Sequence, residues 1–359
     1  MWQTTVSTAR GFISLFCPAD SSSRGEQRKT RDDAGRTRGE RGRFKPVFLL
    51  AFCSFWLVLA ALALTGCGAG NGAPDEPAEP EEAPPFARLT DQMDREVRVP
   101  DEPERVVSLS PTKTEIAYAL GLGGRLVGVT DYCNYPPEVE DIQKVGGFSD
   151  PNVEQIVALE PDLVLAASIH QEEVEKLEEM GVPVLVLYAH TLEDIYQGME
   201  LVGTATGNEA EAREQVDSMQ ERIEAVKSRL EMLDIGEPVR VYYEVYNDPL
   251  MSAGGRTIIN EVISLAGGKN IFVDVEEEYP VVSAESILDS EPQVILFPKY
   301  HGTAELIIEE MRERPGWDEL PAVQDERVFG VHDDVFSRPG PRVVEAVEEA
   351  AKILYPALF

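Results

Sequence analysis

An internal repeat most constrains the fold. The segment EQIVALEPDLVLA, which begins at Glu154, matches ESILDSEPQVILF, which begins at Glu285. In both copies a short helix pattern precedes a proline and a buried-strand pattern follows it. A second pair, EIAYALG from Glu115 and EVISLAG from Glu261, repeats a helix that ends in glycine. Two similar lobes are therefore predicted, and chance similarity between short helix-strand units is the alternative.

Apolar strand patterns alternate with helical patterns from residue 88 onward. A hairpin-like stretch at 91–99 and a strand pattern at 105–109 come first. Six further apolar runs follow, at residues 126–129, 163–166, 182–187, 239–245, 294–297 and 328–331. This alternation predicts an α/β fold with largely parallel sheets.

The most regular helical pattern joins the two predicted lobes. Its apolar residues recur at alternating spacings of three and four: Val216, Met219, Ile223, Val226, Leu230 and Leu233. One such stripe predicts a stiff connecting helix of about 27 residues, roughly 40 Å long. Asn208 and Glu211 predict a capping box at its start. Packing against the same chain is expected, and a protruding coiled-coil arm is the alternative.

The amino terminus has the pattern of an export signal. Residues 47–64 carry no charge and follow an arginine-rich stretch. The next residues, Thr65 and Gly66, are small and precede Cys67, an arrangement typical of a bacterial lipoprotein signal. Cleavage before Cys67 and lipidation of its thiol are expected, and an uncleaved anchor helix is the alternative. The rest of the chain is predicted to be membrane-anchored and to face the periplasm or the cell exterior.

These segments give the predicted domain organisation. Residues 1–66 are an extension with the signal peptide, 67–87 the lipidated cysteine and a flexible acidic Pro/Gly tether, 88–206 the N-terminal lobe, 207–235 the linking helix and 236–359 the C-terminal lobe.

Charge and motifs limit the function. The chain has 65 acidic and 32 basic residues, and so acidic a surface repels nucleic acid while leaving a basic protein partner open. The sequence contains no P-loop, H-E-x-x-H, C-x-x-C or G-x-S-x-G motif, so neither an enzyme nor a cofactor is predicted. After the predicted cleavage, Cys133 is the only free thiol, and its position between Tyr132 and Tyr135 is more typical of packing.

All four histidines follow apolar strand patterns: His170, His190, His301 and His332. Three tyrosines lie at similar strand ends: Tyr188, Tyr246 and Tyr300. Open α/β sheets bind ligands at the carboxyl ends of their strands, so these side chains are candidates for contact with a ligand. An ordinary loop role is the alternative for each histidine.

Five motifs are spread over both predicted lobes. They are RVVSLSPTKTE from Arg105, GVTDYCNYPPE from Gly128, VGGFSDPNVE from Val145, LEPDLVLA from Leu159 and GGKNIF from Gly267. Together they resemble the substrate-binding proteins of the vitamin B12 and iron-siderophore ABC importers, most closely the cobalamin-binding branch. The resemblance covers residues 88–359. It implies two α/β lobes bridged by one long helix, with a ligand cleft between the lobes, in a monomeric receptor that catalyses no reaction.

The resemblance also implies site residues. In the cobalamin-binding branch aromatic side chains line the cleft, and the matching positions here are Tyr132, Phe148 and Tyr279. That branch has tryptophan where Phe148 and Tyr279 stand, but an aromatic face for a flat corrin ring remains. The strand-end residues Tyr246 and Tyr300 complete the expected set. Core packing is the alternative for each aromatic.

One glutamate in each lobe is implied to form ion pairs with arginines of a permease dimer. The matching residues are Glu154 and Glu285, which the internal repeat places at equivalent positions. Symmetric acids suit a two-fold symmetric basic partner. The alternative is a carboxylate favoured by the helix dipole at each helix start.

The expected ligand is cobalamin or a related corrinoid. A ferric siderophore or haem is the alternative, in which Tyr246, Tyr300, His170 or His301 would ligate iron. An exported enzyme that uses the same cleft is the rival from a different class of protein.

Overall fold

The computed structural model describes residues 84–232, 236–299 and 304–359, without the side chains of 304–307. The predictions on the export signal, Cys67, Tyr300 and His301 lie outside these residues. Among the helices described, none is both long enough and apolar enough to cross a membrane.

The N-terminal lobe contains a four-stranded parallel sheet. An antiparallel hairpin precedes it, formed by β1 (Ala87–Thr90) and β2 (Glu96–Val99). The sheet strands are β3 (Val106–Ser108), β4 (Leu126–Val129), β5 (Leu163–Ala167) and β6 (Val184–Leu187), in the order β4-β3-β5-β6. The helices of this lobe are α1 (Pro111–Ala119), α2 (Val153–Ala158), α3 (Gln171–Glu179) and α4 (Leu192–Thr206).

A long helix, α5 (Glu209–Glu231), leads to the C-terminal lobe. The strands of that lobe are β7 (Val239–Asn247), β8 (Leu250–Ser252), β9 (Gly268–Asn270), β10 (Val294–Pro298) and β11 (Val328–Val331). Its helices are α6 (Ile258–Leu265), α7 (Ala284–Ser290), α8 (Ala304–Glu313), α9 (Pro321–Gln324), α10 (Asp333–Ser337) and α11 (Val343–Leu354).

The two lobes share one connection order, so the sequence repeat is a structural repeat. In the N-terminal lobe β3 pairs in parallel with β4 and β5, and β5 pairs with β6. In the C-terminal lobe β7 pairs in parallel with β9 and β10, and β10 pairs with β11. Gly121 and Gly267, which follow α1 and α6, both adopt a left-handed conformation with φ near 80°. The predicted two-lobed α/β fold is therefore confirmed.

Helix α5 packs along both lobes. It contacts α1 and α4 of the N-terminal lobe and α6 and α11 of the C-terminal lobe. The described residues of its apolar stripe are all buried: Val216, Met219, Ile223, Val226 and Leu230. The coiled-coil alternative is therefore wrong, because the stripe is covered by the chain itself.

The predicted capping box at the start of α5 is also wrong. Asn208 occupies the N-cap position, but its side chain accepts no hydrogen bond from the helix. Its amide Nδ2 instead donates to the carbonyl oxygen of Leu120 at 3.1 Å. Tertiary packing against the end of α1 has therefore taken the side chain away from its local capping role.

Candidate functional site

The candidate site lies where the carboxyl ends of the two sheets face each other. Parallel pairing brings the loops that follow the strands to one edge of each sheet. Asn134, which follows β4, donates a hydrogen bond to Asp334, which follows β11. His190, which follows β6, pairs with Glu278 of the C-terminal lobe. The strand-end loops of the two lobes therefore meet across a boundary, which we call the cleft.

A buried ion-pair network joins the lobes at one place in the cleft. Glu115 of α1 is 4% exposed and accepts hydrogen bonds from Arg338 at 2.9 Å and from two nitrogens of Arg342 at 2.8 Å. Arg338 also donates to Asn134 at 2.8 Å and pairs with Asp334 at 2.7 Å. The Glu115 carboxylate and the two arginines balance one another's charge and also form hydrogen bonds with one another. The network therefore holds the two lobes together at this point.

A second contact between the lobes involves a histidine and a tyrosine. The Nε2 atom of His190 lies 3.6 Å from the Glu278 carboxylate, and His190 is also hydrogen bonded to the Tyr188 hydroxyl. Burial and the charge of Glu278 raise the pKa of Tyr188, against a smaller lowering by Arg256. The Tyr188 hydroxyl therefore stays protonated at neutral pH and can donate a hydrogen bond.

Several large apolar side chains stand exposed on the strand-end loops. Tyr132 and Tyr135 follow β4, Ile169 follows β5 and Tyr188 follows β6, each between 37% and 49% exposed. Val281, which is bridged to Met251 of β8, is 63% exposed. Exposed apolar side chains gathered at the strand ends of an α/β fold are typical of a ligand-binding surface.

Four of the predicted ligand aromatics fall within the described residues. Tyr132 is 41% exposed, and Phe148 is half-buried with its ring edge-on to His170. Tyr246 is half-buried near the end of β7, and Tyr279 is half-buried in a loop held along β8 by the bond from Ser252 N–H to the Pro280 oxygen. Burial and Glu278 raise the pKa of Tyr279. Ligand contact for these aromatics remains a prediction.

A glycine permits the close approach of the loop that carries Tyr279. The Gly254 N–H donates to the Glu278 oxygen at 2.8 Å. A side chain at Gly254 would collide with the backbone oxygen of Glu277, because that atom occupies the place of a Cβ. The absence of a side chain therefore positions Glu278 and Tyr279 beside the cleft.

His170 is fully buried between two backbone groups. Its Nδ1 accepts a hydrogen bond from the Ala167 N–H at 3.1 Å, and its Nε2 donates to the Phe148 oxygen at 2.6 Å. Burial lowers the pKa of His170 to about 4, and the charge of Lys113 lowers it further against the opposing effect of the Phe148 bond. Both ring nitrogens are engaged, so this geometry favours positioning of the Phe148 loop over ligation of iron.

This burial predicts acid sensitivity. Between pH 6.5 and about 4 the unfolded chain binds a proton at His170 that the folded chain does not, so the free energy of unfolding should fall as pH falls through this window. The loss of free energy of unfolding that is attributable to His170 should reach about 3 kcal/mol.

Urea unfolding of the wild type and of His170→Gln at pH 7 and pH 4.5 measures the loss that is due to His170. The variant should show a smaller fall, and His332→Gln, which changes an exposed histidine, should keep the wild-type fall. Equal falls in the wild type and His170→Gln would contradict the assignment.

One group of side chains could supply metal ligands in the part of the chain described. Ligand atoms of His332, Asp333 and Asp334 lie within 4.8 Å of one another. Asp334, however, is already held by Arg338 and Asn134. Asp334 therefore serves the contact between the lobes. Cys133 is free and buried, with its Sγ atom 3.1 Å from the Thr114 hydroxyl, in agreement with packing.

The two predicted docking glutamates occupy equivalent places. Glu154 and Glu285 are each the second residue of a short helix, α2 and α7, and both are exposed. Each helix precedes the third of the four equivalent strands of its lobe, β5 or β10. The repeat thus presents one carboxylate per lobe, while the docking role itself remains a prediction.

Three cleft-side residues went unrecognised in the sequence: Lys113, Ile169 and Val281. Ile169 and Val281 belong to apolar patterns that normally indicate a core, yet they are 49% and 63% exposed. Lys113 lies inside a motif whose neighbours are small or polar, where a lysine would ordinarily reach solvent. The one available signal was a lysine a few residues after the end of an apolar strand pattern, in a motif that carries the family resemblance.

The fold and the cleft define a two-lobed α/β binding protein. A family model described as periplasmic binding protein matches residues 106–335. The chain belongs to the periplasmic binding protein family, a family of binding proteins.

Relatives and solved structures agree with this assignment. An "uncharacterized ABC transporter substrate-binding lipoprotein", YvrC of Bacillus subtilis, is 34% identical over 84% of this chain and 96% of that relative. The periplasmic vitamin B12 binding protein BtuF of Vibrio cholerae is 32% identical with a TM-score of 0.63, over 71% of this chain and 98% of its own. The periplasmic heme-binding protein RhuT from Roseiflexus sp. is 26% identical with a TM-score of 0.64, over 71% and 99%.

Proposed function

We propose that this chain is the extracytoplasmic receptor of an ABC importer, anchored by a lipid at Cys67, and that it captures cobalamin or a related corrinoid. The observation that carries the proposal is the group of exposed apolar side chains on the strand-end loops, in a fold similar to that of a vitamin B12 binding protein. A large flat ring needs a broad apolar surface with a few polar groups at its edge.

The chemistry of the cleft supports binding rather than catalysis. Tyr132 and Phe148 offer aromatic faces from the loops that follow β4, and Tyr188 adds a hydroxyl donor at the end of β6. Aromatic side chains supply large contact areas at a small loss of conformational freedom. The contacts between the lobes restrict the cleft to small opening motions.

Delivery to the permease is proposed to use Glu154 and Glu285. Their equivalent positions and exposure match a two-fold symmetric partner, and the acidic composition of the chain suits basic docking sites. Ion pairs with permease arginines would orient both lobes over the translocation pathway.

Titration of the full chain, purified in detergent, tests the proposed ligand. Cyanocobalamin should bind saturably at one site, with quenching of tryptophan fluorescence and little change in the corrin spectrum. Tyr132→Ala and Phe148→Ala should each weaken binding by about 1–3 kcal/mol because each removes an aromatic surface. Phe86→Ala is the matched control, since Phe86 is 42% exposed beside Gly207, away from the strand-end loops.

The same titration with haem and with ferric siderophores tests the alternative ligand. The similarity to a heme-binding protein favours including haem. Absence of cobalamin binding, together with a shifted haem or ferric charge-transfer band, would replace the corrinoid by an iron chelate. Tyr246, Tyr300 and His301 would then be the residues to change. Turnover of a bound compound would contradict the receptor function.

A further inference from the structure

Lys113 is a largely buried lysine whose ammonium has no partner among the described residues and reaches solvent only at its tip. The residue is 5% exposed, and its ammonium makes no hydrogen bond or ion pair within that part of the chain. Burial alone lowers its pKa to about 8, with no carboxylate close enough to oppose this. Partial removal of an uncompensated charge from water is costly, so an acidic partner that covers the tip of this side chain would be favoured.

The position of Lys113 connects it with the cleft. It lies in the first turn of α1, which follows the carboxyl end of β3. Its charge acts on His170, whose ring contacts Phe148 edge-on. Two residues further along α1, Glu115 carries the contact with the C-terminal lobe. Lys113 therefore lies among the strand-end loops of the N-terminal lobe.

Nearby charges do not satisfy this ammonium. The Glu115 carboxylate is saturated by Arg338 and Arg342, which approach from the C-terminal lobe. His170 carries no charge at neutral pH and uses its acceptor nitrogen for the Ala167 N–H. The Lys113 ammonium therefore has no carboxylate as a hydrogen-bond partner in the part of the chain that the structure describes.

We propose that Lys113 is an anion-binding residue of the cleft, which pairs with a carboxylate or phosphate oxygen of the transported ligand. The proposal rests on the proposed receptor function and narrows its substrate class to ligands with an acidic group. A buried ammonium without a competing carboxylate gives such a group a strong, charge-assisted hydrogen bond. It also disfavours uncharged ligands of the same shape, because they would leave the ammonium buried and unpaired.

Matched ligand pairs test this inference on the full chain in detergent. Cyanocobalamin carries a phosphodiester that dicyanocobinamide lacks, and haem carries two carboxylates that its dimethyl ester lacks. For a pair that binds, Lys113→Met should weaken the acidic member at least about tenfold and leave the neutral member nearly unchanged. Lys227→Met, which changes an exposed lysine on α5, should behave as the wild type. Equal loss for both members, or no loss, would overturn the proposal.

Thermal unfolding separates this inference from the identity of the ligand. Millimolar inorganic phosphate, compared with chloride at equal ionic strength, should raise the Tm of the wild type and of Lys227→Met but not of Lys113→Met or Lys113→Gln. Without phosphate, Lys113→Met should have a higher Tm than the wild type, because a partly desolvated charge with no partner among the described residues is removed. If no tetrapyrrole binds but the phosphate response depends on Lys113, the corrinoid assignment fails and the anion site stands. A phosphate response that is equal in all variants would refute the anion site.

Discussion

Reversal of both predicted docking charges, Glu154→Lys with Glu285→Lys, is expected to reduce cellular uptake of the ligand at least about 100-fold. Each substitution places a like charge against a basic partner, and repulsion at two sites adds to the loss of two ion pairs. Affinity of the purified chain for the same ligand should stay within about twofold, since both residues are exposed on α2 and α7 and not on the strand-end loops. Uptake of labelled ligand and titration of the purified variant measure the two quantities.

The matched control changes the net charge equally on another face. Glu214→Lys with Glu221→Lys alters two exposed residues of α5, and uptake should remain near the wild-type rate. Thermal unfolding tests the alternative of a simple helix-dipole role, which predicts a stability loss of no more than about 1 kcal/mol at each helix start and no loss of uptake. Wild-type uptake by the Glu154 and Glu285 double variant would contradict docking. A large loss of ligand affinity would instead place these residues at the ligand.

Removal of the Glu115 carboxylate is expected to destabilise the protein strongly. Glu115→Ala leaves Arg338 and Arg342 without their shared partner, and their side chains are only 14% and 13% exposed. Loss of one partner from a buried charge network costs about 3–5 kcal/mol. Urea unfolding, followed by fluorescence of the buried Trp317, should show a correspondingly lower free energy of unfolding.

The control for this prediction is a more exposed ion pair between helices. Arg222 of α5 donates two hydrogen bonds to Glu348 of α11, but the two side chains are 40% and 31% exposed. Glu348→Ala should therefore cost less than about 1 kcal/mol. Equal effects of Glu115→Ala and Glu348→Ala would show that burial adds nothing to the network that joins the lobes. A small effect of both would mean that the lobes are held by apolar packing along α5.

Much of the fold could be predicted from the sequence because its signals are local. Strands β4 and β11 have the predicted bounds, Leu126–Val129 and Val328–Val331, because short apolar runs in parallel sheets are buried on both faces. The buried stripe of α5 follows from the helical period of its apolar residues. The left-handed conformations of Gly121 and Gly267 follow from the way helices end. The capping role of Asn208 failed because a distant carbonyl, that of Leu120, competes for its amide.

The candidate site was only partly predictable. Tyr188 could be placed at a strand end, since a strand's carboxyl end is readable from its pattern. Tyr132 and Phe148 were predicted only from the family resemblance. That Glu115 would meet Arg338 and Arg342 could not be predicted, because more than 220 residues separate the partners and no local pattern encodes their approach. For the same reason, the sequence did not reveal that Lys113 has no partner among the described residues.

The sequence by itself determined most of the strands, the repeat of two lobes and the long helix between them, because backbone hydrogen bonding and apolar periodicity act over a few residues. Only the tertiary structure decided which of these charges are paired. Glu115 and Lys113 lie two residues apart on α1, yet one is saturated by two arginines and the other has no partner among the described residues. That difference arises from burial and from the facing lobe, and both exist only after the chain has folded.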